Sequence, residues 1–130
     1  MSKLSKIDTQ AGDEPGSGRV KFFCPGCDGP HTVQIGSGPG PRWGYNGNSC
    51  APTFTPSVLV RWEEPASLHQ PEVLQAEIKA LQPGQRLNMV QKCCHSFVTD
   101  GRIQFLGDCT HELANQTVDL PAWPSEEWGD

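Results

Sequence analysis

The sequence predicts an α+β domain: a small, mostly antiparallel β-sheet made of β-hairpins, with one packed helix and a short C-terminal helical turn. Three observations predict it. Short β-branched or alternating runs recur between Gly/Pro/Asn/Asp turn signals, as strands in an antiparallel sheet do. Only one stretch, from Pro71 to Leu81, carries helical periodicity. Six cysteines, two of them in Cys24-Pro25-Gly26-Cys27, stand in a chain of 130 residues that is only 35% apolar. Gly (14) and Pro (12) make up a fifth of it, so the core is small and needs a staple. The Cys-x-x-Cys pair offers two thiolates to one ion from a tight turn, and a tetrahedral zinc site needs two more soft ligands. The predicted class is therefore a zinc-stapled domain.

Residues 1–19 are polar, rich in Gly, Ser and Asp, and without periodicity; they read as a flexible tail. Val20-Lys21-Phe22-Phe23 forms a strand leading into the Cys24–Cys27 knuckle, and His31-Thr32-Val33-Gln34-Ile35 returns as its partner. After a Gly/Pro loop, Arg42 to Gly47 has strand residues closed by a turn signal. Pro52-Thr53-Phe54-Thr55-Pro56 is extended, because each proline restricts itself and its predecessor. Ser57 to Trp62 is the best strand of the first half. Pro71 suits a first helical turn, Leu74, Ile78 and Leu81 share one face, and Pro83-Gly84 stops the helix. That apolar stripe is expected to pack on the sheet. Residues 118–121 read as a last short strand. The single domain spans 20–124, with an acidic tail over 125–130.

Asp100-Gly101 between Ser96–Thr99 and Arg102–Leu106 is a two-residue hairpin signal, because both turn positions need φ > 0. Its register sets Thr99 against Arg102, Val98 against Ile103 and Ser96 against Phe105. Cys94 and Ser96 then share a face with Phe105 and, if the strand continues, with Cys109, about 7–8 Å diagonally from Cys94. Cys94 and Cys109 are thus the expected third and fourth ligands beside Cys24 and Cys27, with Cys93, His31, His95 and His111 as substitutes and Cys50 a bystander. The opposite face collects His95, Phe97, Gln104 and Asp108, where Asp108 suits the orienting of the His95 imidazole. Ser96 and His95 point to opposite faces, so a nucleophilic Ser96 needs another base, and His111 is the candidate. Ser57 helps shape the site or merely starts a strand. A purely structural zinc site accounts for the same residues without catalysis.

A net charge of −5 with no basic cluster argues against a nucleic-acid partner. No apolar run follows Lys3 and Lys6, and nothing approaches membrane-spanning length, so neither a signal peptide nor a membrane partner is expected. A cytoplasmic location is expected, where thiols stay reduced and favour metal over disulfides.

Phe23-Cys24-Pro25-Gly26-Cys27 with His31, then Trp43, Asn46-Gly47, Pro52 to Ser57, Cys94 to Val98, Gly101 to Leu106 and Asp108 to His111 together resemble a family of small phage and prophage proteins. Its members often carry the label "ammonia monooxygenase", which a chain without membrane spans does not fit. The same residues are more distantly similar to the peptidase of bacterial ubiquitination-like operons, with its zinc knuckle, Pro-Ser step and Cys-x-Ser-His-Phe motif. This resemblance implies zinc, a host-cytoplasm setting if the chain is phage-encoded, and a hydrolase that trims ubiquitin-like proteins or frees them from targets. Carried over, the reactive pair falls on His95 and Ser96, in His-Ser order where that pattern reads Ser-His. Ser96 would attack, His111 or His95 would take its proton, and Asp108 would orient the imidazole. In a variant, zinc with an open coordination position activates a water. The rival expectation is a non-enzymatic, zinc-stapled protein-binding module.

Overall fold

Two antiparallel sheets face each other in the computed structural model, which describes residues 1–124. The first is a hairpin of β1 (Gly18–Cys24) and β2 (Gly29–Ile35), paired from Gly18 with Ile35 to Cys24 with Gly29. The second has five strands in the order β3 (Gly44–Tyr45), β4 (Phe54–Pro65), β5 (Met89–Thr99), β6 (Arg102–Phe105) and β7 (Thr117–Asp119). Alternation decides what lies between them. Val20, Phe22 and Cys24 of β1 and Val33 and Ile35 of β2 point inward, toward Phe54, Val58, Cys94, Val98, Ile103 and Phe105. Phe22 stacks on Phe54 at 6.2 Å between ring centroids, and Tyr45 covers the other side of Phe54 at 5.3 Å.

The β5–β6 register matches the expected hairpin pair for pair, with Asp100 at φ 51° and Gly101 at φ 78° making the turn. The β4–β5 ladder is less regular. Phe54 faces Val98 and Val58 faces Ser96, so β4 takes four residue steps where β5 takes two. Thr55, Pro56 and Ser57 form the resulting bulge, and the missing N–H of Pro56 is tolerated there.

Three expectations need correction. The first seventeen residues are not a loose tail: Leu4 bridges Phe22 and is 4% exposed, Asp8 bridges Arg19, and Asp13 pairs with Arg42 at 2.6 Å. The helix α1 (Pro71–Ala80) forms as expected, but its apolar stripe is not buried: none of its residues is, and Ile78 is 48% exposed. The buried Ser67 hydroxyl, hydrogen-bonded to Glu77, ties the helix down. Finally, α1 is the only helix among the described residues. In place of a C-terminal helical turn, i to i+3 bonds from Ala114 N to His111 O and from Gln116 N to Leu113 O fold a tight turn before β7. No described helix is long and apolar enough to cross a membrane. The acidic tail over 125–130 lies outside the described residues.

Candidate active site and metal centre

Cys94 and His95 are neighbours on β5, and the pleat sends them to opposite faces of the sheet. Cys94 enters the seam between the sheets and is 1% exposed. There it meets Cys24 at the end of β1, Cys27 from the knuckle and His111 from the segment after β6. One ligand atom from each of these four residues lies within 4.8 Å of all the others. Cys24 Sγ is 3.9 Å from Cys94 Sγ, and His111 Nε2 is 3.6 Å from Cys94 Sγ. Three thiols and one imidazole are a donor set for a borderline-soft divalent ion in tetrahedral coordination.

The electrostatics of the group support this fit. Cys24 accepts hydrogen bonds from Cys27 and Cys94, which hold its pKa far below the ordinary thiol range. Cys27, the donor to Cys24, is pushed up to about 12, and Cys94, bonded to both, is raised as well. A raised thiol keeps its proton at neutral pH, so an incoming ion must displace protons from Cys27 and Cys94, and metal affinity should rise with pH. Chelator competition at about pH 6.5 and about pH 8.5 checks this: affinity should be tighter at the higher pH, and a flat profile would contradict it.

His111 is placed by its surroundings. Its ring packs edge-on against Phe105 at 4.4 Å, and its Nδ1 accepts from Leu113 N–H at 3.2 Å. A neutral ring that accepts at Nδ1 carries its proton on Nε2, facing Cys94. Coordination through Nε2 would place the ring proton on Nδ1 and cost the Leu113 bond. On the other side the ring lies against Gly26, where an added Cβ would sit 2.3 to 2.6 Å from three ring atoms. Gly26→Ala should therefore evict the imidazole and weaken metal binding about 10–100-fold. Unchanged affinity in the same chelator competition would show that the ring is not a ligand.

Cys109, expected as the fourth ligand, stands outside this group. β6 ends at Phe105, and the chain turns at Gly107 and Asp108, so the assumed continuation of the strand does not occur. The Cys109 sulfur instead accepts from His95 N–H and donates to His95 C=O, both at 3.2 Å. Thr110 does similar work two residues earlier on β5: its N–H and hydroxyl donate to Cys93 O, and Cys93 N–H donates to Thr110 Oγ1. The loop after β6 is thereby laced to β5, and this brings Asp108 alongside His95.

On the outer face the His95 ring is held at both nitrogens. Nδ1 lies 3.0 Å from Asp108 Oδ2, and Nε2 lies 3.0 Å from Ser57 Oγ. An ionised carboxylate only accepts, so Nδ1 carries the proton and Nε2 is left to accept from the Ser57 hydroxyl. Ser57 reaches this position because it lies in the β4 bulge, where Trp43 Nε1 donates to its carbonyl at 3.1 Å. The group is open to solvent, with the His95 side chain 24% and that of Asp108 49% exposed.

Ser96, expected as the nucleophile, faces the core between Val58 and Phe105 and is 1% exposed, and its Oγ has no hydrogen-bond partner. It cannot reach the His95 ring or a substrate. His111, its expected base, belongs to the thiol group. Alternation alone does not bring Ser57 to His95; the proline that interrupts the strand run just before it is the sequence signal of the bulge that does. Of the remaining candidates, His31 is buried and its Nε2 has no hydrogen-bond partner, Cys93 lies near Asp108, and Cys50 is exposed.

Fold and site together define a two-sheet α+β protein with a metal-capable Cys₃His group on its inner seam and a Ser–His–Asp arrangement on its outer face. The chain belongs to the family described as bacterial ubiquitination-like system serine protease (BubE), which matches residues 4–106. The match takes in Cys24, Cys27, Ser57, Cys94 and His95 and ends just before Asp108. No curated protein and no solved structure matches the chain.

Proposed function

We propose that this chain is a serine peptidase or isopeptidase in which Ser57 is the nucleophile, His95 the general base and Asp108 the group that orients it. The observation that carries the reading is the His95 ring bonded at 3.0 Å on either side, to a hydroxyl and to a carboxylate. In this mechanism Ser57 Oγ attacks the scissile carbonyl as its proton passes to His95 Nε2. The tetrahedral intermediate collapses when His95 returns that proton to the leaving amine, giving an acyl-Ser57 ester. Water, deprotonated by His95, then releases the acid and restores Ser57. Asp108 keeps Nδ1 protonated and stabilises the imidazolium that forms in each half.

Cys24, Cys27, Cys94 and His111 would hold zinc. When bound, the ion supplies a structural clamp, because four protein donors complete a tetrahedron and leave no open position for an activated water. It would join β1 to β5 and fix the loop that carries Asp108. A thiol-rich site of this kind suits a reducing cytoplasm.

The family's description supports a substrate among ubiquitin-like proteins, cut at their tails or at their conjugates. The test is a ubiquitin-like protein fused through its C-terminus to a reporter. The metal-loaded chain should release the reporter and Ser57→Ala should not; an intact fusion with both would refute the substrate assignment. One observation favours the non-enzymatic binding module as a second reading: Ile78 and Leu81, on the apolar stripe of α1 and its end, are 48% and 36% exposed, as a protein-contacting helix would have them.

A further inference from the structure

Leu59 and Phe97 are large apolar side chains left on the outer face of the five-stranded sheet, each 42% exposed. A lone exposed leucine is common and asks for no explanation. The placement of these two does. Leu59 is the direct cross-strand partner of His95. Phe97 lies two residues beyond His95 on β5 and therefore on the same face, paired to Gln104 on its other side. Ser57 lies two residues before Leu59 and is bonded to His95 Nε2. These four side chains mark a quadrilateral, with Ser57 and Leu59 on β4 and Phe97 and His95 on β5. The hydroxyl–imidazole bond is one diagonal. Leu59 and Phe97 are the two ends of the other, so an apolar side chain flanks the reacting pair on each side, within the roughly 5–8 Å of neighbouring positions on one sheet face.

Resting on the reading of Ser57 as nucleophile, we propose that Leu59 and Phe97 form the subsites of that centre, taking large apolar side chains of an extended polypeptide on both sides of the scissile bond. A carbonyl brought to Ser57 Oγ must lie over the Ser57–His95 diagonal. In an extended substrate, the two residues joined by the scissile bond are about 3.3 Å apart along the chain and their side chains point in opposite directions, toward the two flanking corners. Charged side chains placed there would be partly desolvated against leucine and phenylalanine, which selects against them. Covering Leu59 and Phe97 removes their remaining exposed surface from water and supplies binding energy next to the reacting atoms.

The experiment exposes the metal-loaded chain to a synthetic peptide library of mixed sequence and reads every cut by mass spectrometry. The parent should prefer Leu, Ile, Met or Phe over Asp, Glu or Lys by about tenfold at the positions beside the cut. Leu59→Ser should erase the preference on one side and Phe97→Ser on the other, with metal content confirming that each variant is folded. Cuts without apolar preference, or a preference unchanged in both variants, overturn the proposal. If the parent cuts no peptide while a fluorophosphonate still modifies Ser57, the subsites fail and the nucleophile stands. If there is neither cutting nor modification, both fail.

Discussion

Ser57→Ala should lower kcat for amide cleavage by about 10⁴–10⁶-fold, while Ser96→Ala should leave it within about twofold of the parent. The two serines differ by face and partner. Ser57 Oγ lies on the open side, 3.0 Å from a nitrogen that Asp108 has already left free to accept. Ser96 Oγ lies in the core with no hydrogen-bond partner. Removing a buried, unbonded hydroxyl costs no protein hydrogen bond, so Ser96→Ala should be as stable as the parent or up to about 1 kcal/mol more stable. Asp108→Asn should fall between these extremes, about 10³–10⁴-fold down, because an amide can pair with the wrong imidazole tautomer. Initial rates on a single amide substrate, with denaturant midpoints measured in parallel, check all three. Equal losses at Ser57 and Ser96 would mean that the two act through folding and not through chemistry.

Stripping the metal should have the largest effect on stability. Cys24 belongs to one sheet and Cys94 to the other, so an ion held between them closes the seam along which the small core packs. Metal present at about 1,000 times its Kd stabilises the folded chain by about 4 kcal/mol. For a domain of this size that corresponds to a Tm higher by about 10–20 °C. A strong chelator, Cys94→Ser and His111→Ala should each remove that increment. Cys109→Ser should retain the ion, because its sulfur bonds the main chain of His95 and not the thiol group. Metal analysis and thermal melts of the four samples check this, and metal lost from Cys109→Ser would contradict the assignment of His111. Activity should fall with the metal although the ion touches no substrate, since His111 and Asp108 share the loop that the ion would anchor.

Much of this site was legible because local chemistry fixes local geometry. Asp100-Gly101 dictates its turn, the turn dictates the β5–β6 register, and the register separates Cys94 and Ser96 from His95. From that separation alone, Ser96 and His95 could not be partners, and His95 with Asp108 could. The rest depended on irregularities that period-2 alternation does not carry. The bulge over Thr55 to Ser57 decides which β4 residues meet His95, and it belongs to pairing between strands about forty residues apart in sequence. The early end of β6 sends Cys109 to the His95 main chain and His111 to the thiols, against the assumption of a continuing strand. The helix was visible from Pro71 and its apolar stripe, but periodicity shows which face is apolar and not whether anything covers it.

The most direct test of the Ser57–His95–Asp108 centre is reaction of the metal-loaded chain with a fluorophosphonate, followed by peptide mapping of the adduct. A single adduct on Ser57, lost in His95→Ala, is the predicted result. An adduct on Ser96, or none on a folded, metal-loaded chain, would contradict it.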